Sequence, residues 1–156
     1  MSTGDDLWAA RRTSFGDAAD NYAYGRPHYP RAALEWALPA GATTVADVGA
    51  ATGRLTETLL DLGLSVTAVE PSGRMRAHIP AAATTVAAGA ESLPLADASV
   101  DAMLVAQAWH WFDVPKALAE AARVIRPGGA LVLLWNLLDT DDPNTLLIAD
   151  AIQAEE

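Results

Sequence analysis

Cysteine is absent from the 156 residues, and lysine occurs once, as Lys116. The first absence excludes disulfides, thiolate metal sites, iron–sulfur clusters and a cysteine nucleophile. The second belongs to a general deficit of positive charge: 10 basic residues face 20 acidic ones, a net charge of −10. An acidic surface repels phosphate backbones and anionic lipid alike, so neither nucleic acid nor a membrane is an expected partner. Long apolar runs are also missing. The most apolar stretch, Ala130 to Leu138, is too short to span a bilayer and contains Asn136. Met1 to Leu7 is polar and acidic, without the basic and apolar segments of a signal peptide. The expectation is a soluble, cytoplasmic protein. His28, His78 and His110 lie on separate segments without ligand-pair spacing, so no metal site is expected.

What is present is ample apolar material, 51% of the chain, enough for one domain with a real core. Short β-rich runs alternate with helical patterns. Thr43 to Val48 reads as a buried strand, broken by Gly49 to Gly53. Arg54 to Leu62 carries leucines at helical spacing and stops at Gly63. Ser65 to Val69 is a second strand, and Pro71 opens a helix expected to run to about His78. Thr84 to Ala87 is a weak third strand and Ser99 to Ala106 a fourth. Pro115 to Ile125 is a helix, Gly128-Gly129 a turn, and Ala130 to Trp135 a strand apolar enough to be covered on both faces. Asn144 to Ala154 reads as a last helix after the loop signal DTDDPNT. This alternation means βαβ units and a doubly wound, mainly parallel sheet, whose ligands bind beyond the carboxyl ends of the strands.

The residues at those strand ends are therefore the candidates for chemistry. Asp47 and Gly49 to Gly53 follow the first strand. Glu70 ends the second, 21 residues beyond Gly49. A carboxylate at that distance from a glycine loop is placed to accept hydrogen bonds from ribose hydroxyls. Ala90 and Glu91 follow the third strand, and Gln107 with Trp109, His110, Trp111 and Phe112 follows the fourth. Each has a plainer reading. The glycine loop can be a tight turn, Glu70 a charge at a helix start, the aromatics core, and His110 structural. Their ordered fall at successive strand boundaries favours a site.

The runs VADVGAATGRLT, VTAVEPS, AAGAESLPLADASVDAMLVAQAWHWFD and EAARVIRPGGALVLLWN resemble class I S-adenosylmethionine-dependent methyltransferases of the methyltransferase type 11 kind. The opening FGDAADNYAYGRPHYP, paired with HWFD, is similar to a subgroup that includes trans-aconitate methyltransferases. The resemblance implies a Rossmann-like α/β fold with helices on both faces of the sheet. It also implies two further strands after the fifth, which the expected sheet lacks because the chain ends at Glu156. The implied organisation is a helical cap or lid over residues 1–40, a cofactor-binding core over 41–138, and a loop and helix over 139–156.

The function that the resemblance implies is methyl transfer from S-adenosyl-L-methionine to a small-molecule acceptor, a carboxylate or a hydroxyl, leaving S-adenosyl-L-homocysteine. Asp47, Gly49, Ala51 and Gly53 would shape the pocket for the methionine end. Glu70 and Pro71 would lie at the ribose, Ala90 and Glu91 at the adenine, and Gln107 beside the sulfonium. Tyr22, Tyr29, Trp109, His110 and Trp111 would face the acceptor, the tyrosines as a lid, with His110 the candidate general base. Arg26, Arg31 or His110 would orient a carboxylate. Ala51 stands where the family usually has a middle glycine, which suits a ligand without phosphate better than a dinucleotide. Two other readings stay open: a non-catalytic cofactor-binding or interaction module, and an NAD-dependent oxidoreductase, disfavoured by a G-x-x-x-G loop. The assembly is expected to be a monomer or homodimer.

Overall fold

A computed structural model describes residues 28–137. Tyr22, Arg26 and the helix expected over Asn144 to Ala154 lie outside the described residues. The chain there runs α1 (Arg31–Ala37), β1 (Thr44–Val48), α2 (Arg54–Asp61), β2 (Ser65–Val69), α3 (Gly73–Arg76), β3 (Thr84–Val86) and β4 (Val100–Ala106). A 3-10 turn over Trp109–Trp111 leads to α4 (Val114–Val124) and β5 (Ile125–Leu134). The strands form one five-stranded sheet in the order β3-β2-β1-β4-β5, every pair parallel. This is the expected Rossmann-like arrangement, wound outward in both directions from β1 and β4.

Alternation along the strands divides the core in two. Val45, Val66, Ala68, Ala102 and Leu104 point to one face, where Leu34 of α1 and Leu55 and Leu59 of α2 cover them. Ala46, Val48, Val69, Met103 and Val105 point to the other, packed under Ala117, Ala121 and Val124 of α4. Each helix buries one apolar stripe and exposes the rest, as 3.6-residue periodicity requires. The turn after α2 closes it: the Leu64 N–H donates to Leu59 O and the Gly63 N–H to Leu60 O, which satisfies two terminal carbonyls. No helix among the described residues is long and apolar enough to cross a membrane.

Three details depart from the sequence reading. The helix after β2 covers only Gly73–Arg76, capped by Ser72, whose Oγ accepts from the Met75 N–H at 3.4 Å. Pro71 therefore precedes the cap and does not sit in the first turn. The Pro127-Gly128-Gly129 segment is no free turn. It is a bulge within β5: pairing passes from Val100↔Ile125 to Ala102↔Ala130, so β4 advances two residues while β5 advances five. Finally, β5 is covered on both faces but incompletely: Ala130, Val132 and Leu134 pack into one apolar cluster, and Leu131 and Leu133 into the other. Val132 alone of its residues is buried, and Trp135 beyond its end is 45% exposed. Among the described residues β5 pairs with β4 only, so it forms one margin of the sheet.

Candidate functional site

The two central strands, β1 and β4, are where the order of connection reverses, and the loops leaving them diverge there. Such a divergence opens a crevice at the carboxyl ends of the strands. The loop after β1 is shaped by its glycines. Gly49 has φ +75° and a Cβ there would lie 2.7 Å from the Ala108 Cβ; Gly53 has φ +88° and would press on Pro80 and Ile79. Any other residue would be strained in φ and would clash. The loop is thereby wedged between the segment after β4 and the turn after α3. Ala51 is held at φ +48° and Gln107 at φ +56°, conformations uncommon outside glycine.

Asp47 is buried, and one of its oxygens is engaged. Its Oδ2 accepts from the Thr56 hydroxyl at 2.6 Å, and the Thr56 main-chain N–H donates to the same carboxylate. Because the helix cap is Gly53, which has no side chain, Asp47 supplies from β1 the acceptor that the start of α2 lacks. Its Oδ1 is buried without a hydrogen-bond partner, and so is the Thr52 hydroxyl on the glycine loop. Burial pushes the Asp47 carboxyl up to about 7; the Thr56 bonds pull against this, and the nearby Glu70 charge adds to it.

Glu70 is bound to the same loop. Its Oε2 accepts from the Ala51 N–H at 3.0 Å and its Oε1 from the Ser72 N–H at 2.8 Å. Arg76 lies beside it, donating to the main-chain oxygens of Glu70 and Pro71 at 2.7 and 2.9 Å. Burial raises the Glu70 pKa, opposed by the Ser72 and Ala51 N–H groups and by Arg76. Two bonds leave the carboxylate with unused lone-pair positions for further donors. The Ala51 amide, in contrast, is already committed, and two buried carboxylates flank the loop. The acceptor set therefore fits a ligand that brings hydroxyl and cationic donors, and opposes a pyrophosphate.

The remaining candidates divide. Gln107 spans towards β5: its N–H donates to Leu134 O at 2.9 Å and its side-chain Nε2 to Asn136 O at 3.2 Å. Glu91 Oε1 accepts from the Asp113 N–H at 3.0 Å, tying the loop after β3 to the start of α4. Ala90 is a core residue, packed with Leu93. Trp109 lies edge to face with Phe112, ring centroids 5.9 Å apart, and packs against the same apolar cluster. His110 is exposed, its ring 4.8 Å from that of Trp111. Tyr29, expected in a lid, is buried in the apolar cluster with Leu34 and Ala50.

Arg31 is placed away from the glycine loop. It bonds to Glu35 and to Asp61 O at the far end of α2, a helix about 12 Å long at 1.5 Å per residue. The cation next to the loop is Arg54, whose Nη1 lies 3.1 Å from His28 Nε2 and 3.3 Å from Glu57. Sequence reasoning passed over Arg54, Thr52 and Thr56. The signal for Thr56 was a polar residue beside Leu55, on the stripe of α2 that periodicity assigns to the core.

Comparison with known proteins identifies the family and the fold. A family model described as a methyltransferase domain matches residues 46–133. An uncharacterized methyltransferase of Mycobacterium tuberculosis is 52% identical over 130 residues, 81% of this chain and 53% of that protein. A malonyl-[acyl-carrier protein] O-methyltransferase of Pectobacterium atrosepticum is 37% identical over 91 residues, 56% of this chain and 36% of that one. The solved structure of a proposed type II methyltransferase from Anaeromyxobacter dehalogenans is 32% identical, with a TM-score of 0.72 over 81% of this chain and 56% of that one. The chain spans about half the length of the M. tuberculosis relative.

Proposed function

The chain belongs to the methyltransferase-domain family, and from that premise we propose that it binds S-adenosylmethionine at the carboxyl ends of β1, β2 and β4 for methyl transfer to a small oxygen acceptor. The observation that carries the reading is the pair of buried carboxylates, Asp47 and Glu70, on either side of one glycine loop. Glu70 is the acceptor for the vicinal ribose hydroxyls. Asp47 Oδ1 faces the amino-acid end, where an ammonium group offers the missing donor. Ala90 and Glu91 border the adenine through the loop after β3, Pro71 lines the ribose side, and Gln107 stands between the sulfonium and β5.

When bound, S-adenosylmethionine supplies a methyl group already activated by its positive sulfur. What the chain adds is placement, and holding reactants in line is worth about 7–11 kcal/mol in favourable cases. A carboxylate acceptor is ionised at neutral pH and needs no base. A hydrogen-bond donor must orient it, and His110 takes that part, since Arg31 and Arg54 are both held in other bonds. With a hydroxyl acceptor, His110 takes the proton. Trp109 and Trp111 wall the acceptor side. The P. atrosepticum relative, named for O-methylation of a malonyl group, supports an acceptor oxygen of the carboxylate kind.

Calorimetry with S-adenosylhomocysteine tests this reading. Saturable binding is expected, with a raised melting temperature. Glu70→Ala should weaken it by at least tenfold, since each charge-assisted hydrogen bond contributes about 1.5–3 kcal/mol. A folded wild-type chain that fails to bind would overturn the proposal. His110→Ala, assayed against a panel of acids and phenols, should lower turnover with at least one class. Unchanged turnover with every acceptor would remove His110 from the site.

A further inference from the structure

We propose that Thr56 is a positioning residue: by occupying Asp47 Oδ2 it holds Oδ1 as the acceptor for the ammonium group of an amino-acid-bearing ligand. The inference rests on the reading of Asp47 above and concerns a residue that never touches the ligand.

Thr56 is fully buried on α2, at the third position after the cap. A hydroxyl there has no reason to displace an apolar side chain from the core unless it is used. It is used once, in a 2.6 Å bond to Oδ2. Together with the bond from the Thr56 main-chain N–H, it fixes the rotation of the carboxylate and leaves one oxygen buried and unpaired. An unpaired buried carboxylate oxygen is costly, and a cationic donor relieves the cost more completely than a neutral one. Asp47 is flanked in register by Ala68 of β2 and Leu104 of β4. Leu34 of α1 lies in the apolar cluster on that face. Among the described residues, the charged group acting on Asp47 is Glu70, whose negative charge disfavours ionisation. The Thr56 hydroxyl therefore works against both burial and Glu70, keeping Asp47 able to ionise when a cation arrives.

The experiment follows S-adenosylhomocysteine affinity from pH 5.5 to 8.5 in wild type, Thr56→Val and Thr56→Ser. Carbon-13 NMR reads the Asp47 carboxyl titration in the ligand-free proteins alongside. Wild-type affinity should rise with pH as Asp47 ionises. Thr56→Val keeps the shape but loses the hydroxyl: affinity near pH 7 should fall about tenfold, and both midpoints should move to higher pH. Thr56→Ser should restore both to within about twofold. If Thr56→Val lowers affinity equally at every pH, with midpoints unmoved, Thr56 is only a packing residue and the inference is overturned. Wild-type midpoint and affinity in the valine variant overturn it as well. If the valine variant does not fold, Thr56→Ala takes its place under the same criteria. A wild-type chain that binds no S-adenosylhomocysteine defeats the functional reading first. The Asp47 titration in the variants then still decides whether Thr56 governs the carboxylate.

Discussion

Asp47→Asn is expected to make the protein more stable at alkaline pH while weakening the ligand site. The Asp47 carboxyl is buried and stands at about 7, against 3.8 for an ordinary aspartate. Between those values the folded chain holds a proton that the unfolded chain has released. Stability from this group is therefore fully present below about pH 4 and is lost as the pH rises to about 7. The whole difference corresponds to roughly 4 kcal/mol, at about 1.4 kcal/mol per pH unit. Asparagine is neutral throughout and still offers an oxygen to Thr56, so it escapes this loss. Urea unfolding of both proteins at pH 5, 6, 7 and 8 reads the effect. The stability of the variant relative to wild type should grow by about 2–3 kcal/mol from pH 5 to 8. Glu70 is also raised by burial and leaves a smaller slope of the same sign in both proteins. Parallel stability curves with a constant gap would refute the premise that Asp47 is a buried, titrating acid.

Other substitutions test the frame around the site. Gly53→Ala places a Cβ at φ +88° against Pro80 and Ile79, and should lower stability by about 1 kcal/mol or more in urea melts, with loss of S-adenosylhomocysteine affinity. Leu104→Ala removes a fully buried side chain from β4 and should cost about 2–5 kcal/mol by the same melts, with the slope of the transition unchanged. Asp101 is held well below the usual carboxylate range by the Thr43 and Thr44 N–H groups and by Arg126, at the end of the sheet opposite the site. Its contribution is present above the ordinary aspartate range and lost as the pH falls below it. Asp101→Asn should therefore flatten the acid limb of the stability curve and leave ligand affinity at neutral pH unchanged, measured by melts from pH 2 to 7 and by calorimetry.

Much of this architecture is legible in the chain without coordinates. The apolar, β-branched runs of β1, β2 and β4 alternate with amphipathic helices, and local periodicity identifies such elements because each one's inward face is written in its own residues. The glycine loop, Glu70 and Gln107 are legible as strand-end residues by the same logic: in a parallel sheet ligands bind beyond the strand ends, so these positions are the candidates.

Tertiary structure decided what depends on which neighbours the chain folds against. The short α3, the bulge of Pro127 to Gly129 and the partial cover of β5 follow from pairing and packing, which no local window contains. Folding sent Arg31 to the far end of α2 and brought His28 to Arg54 at its start, because a helix separates its ends by its own length. Above all, the sequence determined that a carboxylate would end β1, while only packing determined its state. Burial against Ala68 and Leu104 and the nearby Glu70 charge raise this aspartate, the Thr56 hydroxyl and N–H pull against them, and one oxygen is left without a partner.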